Sequence, residues 1–431
     1  MNPELPKGTK DIPPEAKRMR DKIVQHLVAV FERYGFVPLE TPTFERMEVL
    51  ASKFAGGEEI LKEIFTFEDQ GKRKLGLRYD HTVPLARYIA LNPTLKMPFK
   101  RYAIGRVYRD GPIKRGRLRE FYQCDVDIVG TKSMLADATC LMIAHDCFEA
   151  LQLPVVLKIN NRKLMNGLMK DAGIALAYCE RAILAIDKLD KLGFDAVAAE
   201  LTAQGISSSS IKRLFEQFSA TSLDTLSLQD PEGIEGKKEL AEVFSYLGAV
   251  GVSAVFSPSL ARGLAYYTGT VFEGYLTKEL TSVAVCGGGR YDKMIGKLMG
   301  ATQDIPAVGI SFGLEVLAEV LQPSEESSVL VYLVPVGDTV LHALSLAAAL
   351  RKEGIATDLD YYGRGISKNL AYANSQKIPY ALIIGEEELA NNSYQLKDML
   401  SGQQQQLSFE ACKEFLVKQM QARSNRIKNK I

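Results

Sequence analysis

The chain has little of what several protein classes require. Its four histidines form no H-E-x-x-H pair and stand beside no cysteine cluster, so no protein-bound zinc or other resident metal is expected. The six cysteines, at 124, 140, 147, 179, 286 and 412, include no C-x-x-C and no regular framework, which fits reduced thiols in a cytoplasmic protein. Net charge is scarce too: +1 at pH 7 excludes a bulk polycation that coats nucleic acid indiscriminately. No apolar run approaches a membrane span and the N-terminus has no apolar signal core, so a soluble chain without membrane partners is expected. No G-x-x-x-x-G-K-[ST] loop occurs, which removes one common route to ATP.

What is present starts with 431 residues, 46% of them hydrophobic, enough for two or three domains. The charge that exists is concentrated. From Lys100 to Arg119 eight basic residues stand against the single acid Asp110. Side chains alternate with a period of two on both sides of "DGPIKRG", which predicts an antiparallel hairpin with a long loop. On it Arg109 and Arg117 or Arg119 can converge as forked donors for phosphate oxygens, and Phe121 can stack on a base. Gln123, Asp125 and Asp127 then share one face, a neutral amide followed by two carboxylates, which suits a small cationic ligand. A solvated charge run on an exposed hairpin is the plainer alternative.

The segment "GRVYRDGPIKRGRLREFYQCDVDIVG" resembles motif 2 of a class II aminoacyl-tRNA synthetase, in the form used by histidyl-tRNA synthetases. Further segments carry the same resemblance in the family's order, from "PKGTKD" onward. "FVPLETPTFERMEVL" follows an amphipathic helix that starts at Pro14 and ends before Gly35, and it stands where motif 1 forms the family's dimer interface; an edge strand with two prolines explains it equally well. In "LRYDHTVP", Asp80 and Thr82 open a helix, either as its cap and neighbour or as ligands for an ammonium group. The resemblance favours the second. "RGLAYYTG" reads as an aromatic corner stacked by an arginine, and it is also similar to a block peculiar to histidyl enzymes. There Arg262 lies near the scissile α-phosphate and Tyr266 and Tyr267 lie by the histidine, although the family's aspartate is Ala265 here. "GGGRYD" is similar to the floor of the histidine site. "IPAVGISFGLEVL" resembles motif 3, with Val316 where an arginine usually grips adenine and the γ-phosphate.

The resemblance implies an α+β protein: a class II catalytic domain over residues 1–327 built on a six- or seven-stranded antiparallel sheet, with a helical insertion at about 165–250. The insertion reads as structural or tRNA-facing, without a convergent polar cluster, and its "GISSSSIK" reads as a loop. After the polar linker "QPSEESS", alternating strands and helices over 328–431 predict an α/β domain with mostly parallel strands, similar to the family's anticodon-binding domain. The implied activity is ligation of L-histidine to its tRNA through an adenylate made from ATP, by a homodimer, with Mg²⁺ accompanying ATP. Arg109 and Arg262 fall to the α-phosphate, with Arg117, Arg119 and Phe121 on the rest of ATP. Asp80, Thr82 and Gln123 fall to the amino group, and Asp127 and Tyr267 to the imidazole nitrogens. A histidine-sensing regulatory paralogue of the ATP phosphoribosyltransferase type is the alternative. Val316 and Ala265 lean toward it, while the arginines and the C-terminal domain lean against it.

Overall fold

The computed structural model describes residues 3–51, 61–113, 118–263, 266–277, 284–300, 303–321 and 327–428. The chain divides into two units, Met1–Gln322 and Pro323–Ile431. In the first, the basic segment folds as the hairpin its alternation predicts: Phe99–Tyr108 pairs antiparallel with Glu120–Val129. That hairpin belongs to an eight-stranded sheet in the order Val37–Pro38, Phe99–Tyr108, Glu120–Val129, Ala307–Gly313, Cys286–Arg290, Thr270–Leu276, Val155–Asn161, Val255–Phe256. The inner strands are antiparallel to one another, and the two-residue edge strands run parallel to their neighbours. These short edges account for the difference from the six or seven strands expected. Pro38 sits on one of them, where a missing N–H breaks no inner ladder.

Helices Pro14–Arg33 and Met134–Ala150 pack against one face of this sheet. Proline is tolerated at the start of the first helix because that N–H has no intrahelical partner anyway. Met19, Ile23, Leu27, Val30 and Phe31 form its buried stripe. The Phe31 ring lies 5.8 Å from both Tyr102 and Phe312, and burying such a side chain contributes about 1.5–3 kcal/mol. The second helix is capped by Ser133, whose side chain accepts from Leu135 N. Cys124, Val126 and Ile128 are buried on the hairpin's second strand. Strand alternation turns Gln123, Asp125 and Asp127 to the opposite face.

The insertion comprises helices Arg162–Asp171, Leu176–Ile186, Leu189–Ala203, Ser208–Phe218 and Pro231–Ala249. "GISSSSIK" is not all loop as expected: Ser207 accepts from Ser210 N and starts a helix, the usual work of serine at that position. The second unit has a five-stranded sheet in the order Thr357–Leu359, Val331–Pro335, Tyr380–Ile384, Tyr394–Asp398, Gln404–Leu407. Its first three strands are parallel and its last two antiparallel, so "mostly parallel" is corrected to mixed. The connection from Asp398 to Gln404 is too short for a parallel crossover and closes a hairpin instead. No helix of the described residues is long and apolar enough to cross a membrane.

Candidate active site

A cavity of about 480 Å³ opens on the polar face of the large sheet, and Asp80, Thr82, Arg109, Phe121, Gln123, Asp127, Arg262, Tyr266 and Tyr267 all line it. Arg119 does not. Its Nη1 lies 3.1 Å from Asp110 Oδ1, and its backbone N–H donates to Gly8 O at 2.9 Å. The expectations for Arg117 and Ala265 lie outside the described residues.

Asp80 makes the capping bonds open to it and also lines the cavity. Its Oδ1 accepts from the backbone N–H of Thr82 at 3.1 Å and of Val83 at 3.0 Å, which starts helix Thr82–Leu91, while the residue remains in the cavity wall. Arg109 is held by Nε donating to Tyr79 O at 3.1 Å, with its guanidinium carbon 5.2 Å from the Phe121 ring centre. Arg262, from a stretch far along the chain, donates from Nη1 to Glu273 and lies 5.9 Å from the Tyr267 ring centre. The glycine run beneath it serves close approach: a Cβ on Gly287 would collide with the Arg262 guanidinium.

Three acids of the cavity, Asp80, Asp125 and Asp127, are deeply buried. Asp127, 3% exposed, accepts from Tyr291 OH on Oδ1, and Arg101 Nη2 lies 2.7 Å from its Oδ2. Burial pushes its carboxyl up, against Arg101 and the Tyr291 hydroxyl. Burial pushes Asp125 up to about 7, Arg101 opposing and Asp127 adding, and it raises Asp80 to about 6 against the Val83 N–H. His81 is neutral: burial, Arg101 and Arg78 drive it down to about 3.

Several residues of this site were missed from sequence. Arg101, 0% exposed, sits directly across the hairpin from Asp127, so the hairpin register held the signal for that pair. Tyr291 belongs to the "GGGRYD" run, whose glycines drew notice while its tyrosine did not. Glu273 carried no local signal at all. Asp187, a single acid from the insertion, also lines the cavity, raised to about 6 by burial and Glu273 against Arg262. Val316 is buried and does not line the cavity, while Glu315 beside it accepts from Arg20 at 2.5 Å and Tyr122 N at 2.9 Å.

Cations from two distant stretches thus share a cavity with acids and phenols. Residues 8–317 match the family model of histidyl-tRNA synthetase. The chain belongs to the histidyl-tRNA synthetase family. Residues 330–419 match an anticodon-binding domain model. A histidine–tRNA ligase 1 of Bacillus cereus is 42% identical over 424 residues, 95% of this chain and 98% of that protein. A histidine–tRNA ligase of Cytophaga hutchinsonii is 37% identical over 447 residues, 95% and 98% of the two chains. The crystal structure of histidyl-tRNA synthetase from Nostoc sp. PCC 7120 superposes with a TM-score of 0.84 at 30% identity, covering 97% of this chain and 100% of that one. The chain pairs a long N-terminal unit carrying the cavity with a C-terminal unit of separate sheet.

Proposed function

We propose that the chain is a cytoplasmic, homodimeric histidine–tRNA ligase, with residues 1–327 catalytic, including the insertion at about 165–250, and 328–431 binding the anticodon. The observation that carries this reading is Arg109 and Arg262 lining one cavity with Asp127 and Tyr267. ATP enters as its magnesium complex. The histidine carboxylate attacks the α-phosphorus in line, forming histidyl-adenylate and releasing pyrophosphate. A ribose hydroxyl at the tRNA 3′ end then attacks the mixed anhydride and expels AMP.

The enzyme's share of this chemistry is placement and charge stabilisation. Arg109 and Arg262 meet the α-phosphate as forked donors, and Arg262 exchanges its bond to Glu273 for a phosphate oxygen. Phe121, already stacked by Arg109, offers its free side to adenine. Arg117 serves the outer phosphates, and Arg119 the rest of ATP. Asp80, Thr82 and Gln123 hold the α-amino group. Asp127 and Tyr267 satisfy the imidazole nitrogens, and Tyr266 backs Tyr267 with ring centres 4.7 Å apart. An analogue lacking an imidazole nitrogen would strand a buried polar group, which explains selectivity.

Histidine-dependent exchange of pyrophosphate into ATP, followed by charging of tRNA, tests the reading. Both steps are expected. Histidine binding without exchange would leave a sensor of the regulatory type, and exchange without charging would remove the tRNA functions.

A further inference from the structure

Asp127 is the acid matched to the imidazole, yet the protein itself engages it on both sides, by a hydrogen bond on Oδ1 and by an ion pair, without a hydrogen bond, on Oδ2. Tyr291 OH donates to Oδ1, and Arg101 stands 2.7 Å from Oδ2. Gly309 presses on the same carboxylate, since a Cβ there would collide with Oδ1. Two residues earlier on the strand, Asp125 lines the same cavity at 4% exposure, and its Oδ1 has no hydrogen-bond partner. Gln123, two residues earlier again and on the same face, also presents an unpartnered buried oxygen, Oε1. A buried carboxylate oxygen and a buried amide oxygen, left open on the same strand face by residues two apart, demand donors that the protein does not supply.

The shape of the demand selects the donor. An ammonium carries three N–H groups on one nitrogen and can serve several acceptors at once, whereas each imidazole nitrogen offers at most one N–H in the ring plane. The aromatic surroundings lie at the other end of the row. Tyr291 bonds Asp127, and the Tyr266 ring centre is 6.0 Å from that of Tyr291 and 4.7 Å from that of Tyr267, a wall suited to a flat ring. We infer that Asp125 joins Asp80, Thr82 and Gln123 as an acceptor for the α-ammonium of the bound amino acid, and that Asp127 acts at the imidazole end with its geometry locked by Arg101 and Tyr291. Asp125 is therefore a binding residue whose charge the substrate neutralises. This inference rests on the proposed ligase reading and adds to it a specificity residue.

The test is histidine binding by calorimetry, which needs no turnover, on the full chain and its Asp125→Asn and Asp125→Glu variants. Asparagine keeps the shape and removes the charge, so Asp125→Asn is expected to weaken histidine about ten- to a hundredfold, as for a lost hydrogen bond to an ion. The affinity for ATP should change less than twofold. Asp125→Glu, which restores the charge, should recover part of the loss.

A pH series separates this role from a structural one. The groups facing Asp125 are Asp127, Asp80, Arg101 and the Ser311 hydroxyl, and together with burial they place its carboxyl at about 7. The ratio of wild-type to Asp125→Asn affinity should be largest above that pH and shrink toward one below it. Titration of histidine itself cancels in the ratio. A histidine affinity within twofold of wild type, or a ratio flat across pH, would overturn the inference. Binding that follows these expectations in a chain that performs no pyrophosphate exchange would instead overturn the ligase reading and leave Asp125 its role.

Discussion

Two aspartates, one in each unit, show how differently the same carboxylate can be used. Asp125 and Asp360 are almost equally closed to solvent, at 4% and 5% exposure. Asp360 accepts from the backbone N–H groups of Tyr362 at 3.1 Å and Arg364 at 2.5 Å, and from Asn369 Nδ2 at 3.3 Å. Burial pushes its carboxyl up, but these donors and the Arg364 charge outweigh it and hold the group below the usual range. Asp125 keeps an open oxygen and is pushed up to about 7. The saturated acid braces a loop; the unsaturated one is a place for a cation.

The same division runs through both units. Among the described residues of the second, Asp360 is the one buried ion, and the unit's apolar core includes Val331, Leu333, Leu350, Leu382 and Leu416. The first unit buries Arg101, Arg290 and several acids, of which Asp80, Asp125 and Asp127 line its cavity. Charge burial there is a functional cost: each ion must be met by a partner, and the ones left open define what the cavity binds.

The contrast breaks most severely at Arg262. Arg262→Ala should lower pyrophosphate exchange about a thousandfold, the upper range for losing one donor to a developing charge, while circular dichroism shows the fold retained. Near-normal exchange in that variant would remove Arg262 from the reaction and with it the reason for Gly287 beneath it.

Next come opposite pH responses. The Asp360 carboxyl lies below its unfolded value, so its stabilisation is present above that value and is lost as pH falls through the folded one. Asp125 and Asp80 lie above theirs, at about 7 and about 6, so their contribution is full below the unfolded value and is lost as pH rises through the folded ones. Thermal melts at pH 8 should therefore show Asp360→Asn destabilised by about 1–3 kcal/mol through its stranded N–H donors, and Asp125→Asn as stable as wild type or more so. A shared sign would erase the distinction between brace and site.

How much of this could be read beforehand follows from chain separation. Ser133 and Pro14 announce their helices because a cap acts within one turn. The hairpin face of Gln123, Asp125 and Asp127 follows from alternation alone, and the resemblance supplied which distant stretches share the cavity. What stayed hidden depends on partners far apart in the chain. Asp127 reads as a free acid until Tyr291, 164 residues away, is seen to occupy it. Asp187 reads as one more helical surface residue until the insertion brings it beside Gly263, where it lies in the cavity wall. In the second unit, apolar runs identify strands but not their direction, so the antiparallel end was missed.

The smallest effect is expected where the second unit turns its brace outward. Asp360 fixes the loop that carries Tyr361 and Tyr362, which are 77% and 80% exposed. The Arg364 guanidinium carbon lies 4.5 Å from the Tyr362 ring centre and 4.7 Å from that of Tyr372, so a rigid cation backs the open aromatic surface. On the proposed tRNA-binding reading such a surface stacks unpaired bases, each contact worth about 1 kcal/mol at the low end. Tyr362→Ala should accordingly raise the KM for tRNA in charging about fivefold and leave pyrophosphate exchange untouched, because the cavity residues belong to the other unit. Asp360→Asn should reproduce that KM change by loosening the loop without removing a ring. If Tyr362→Ala leaves charging unaltered, the loop is a solvated turn, and the Asp360 brace serves the stability of its own unit alone.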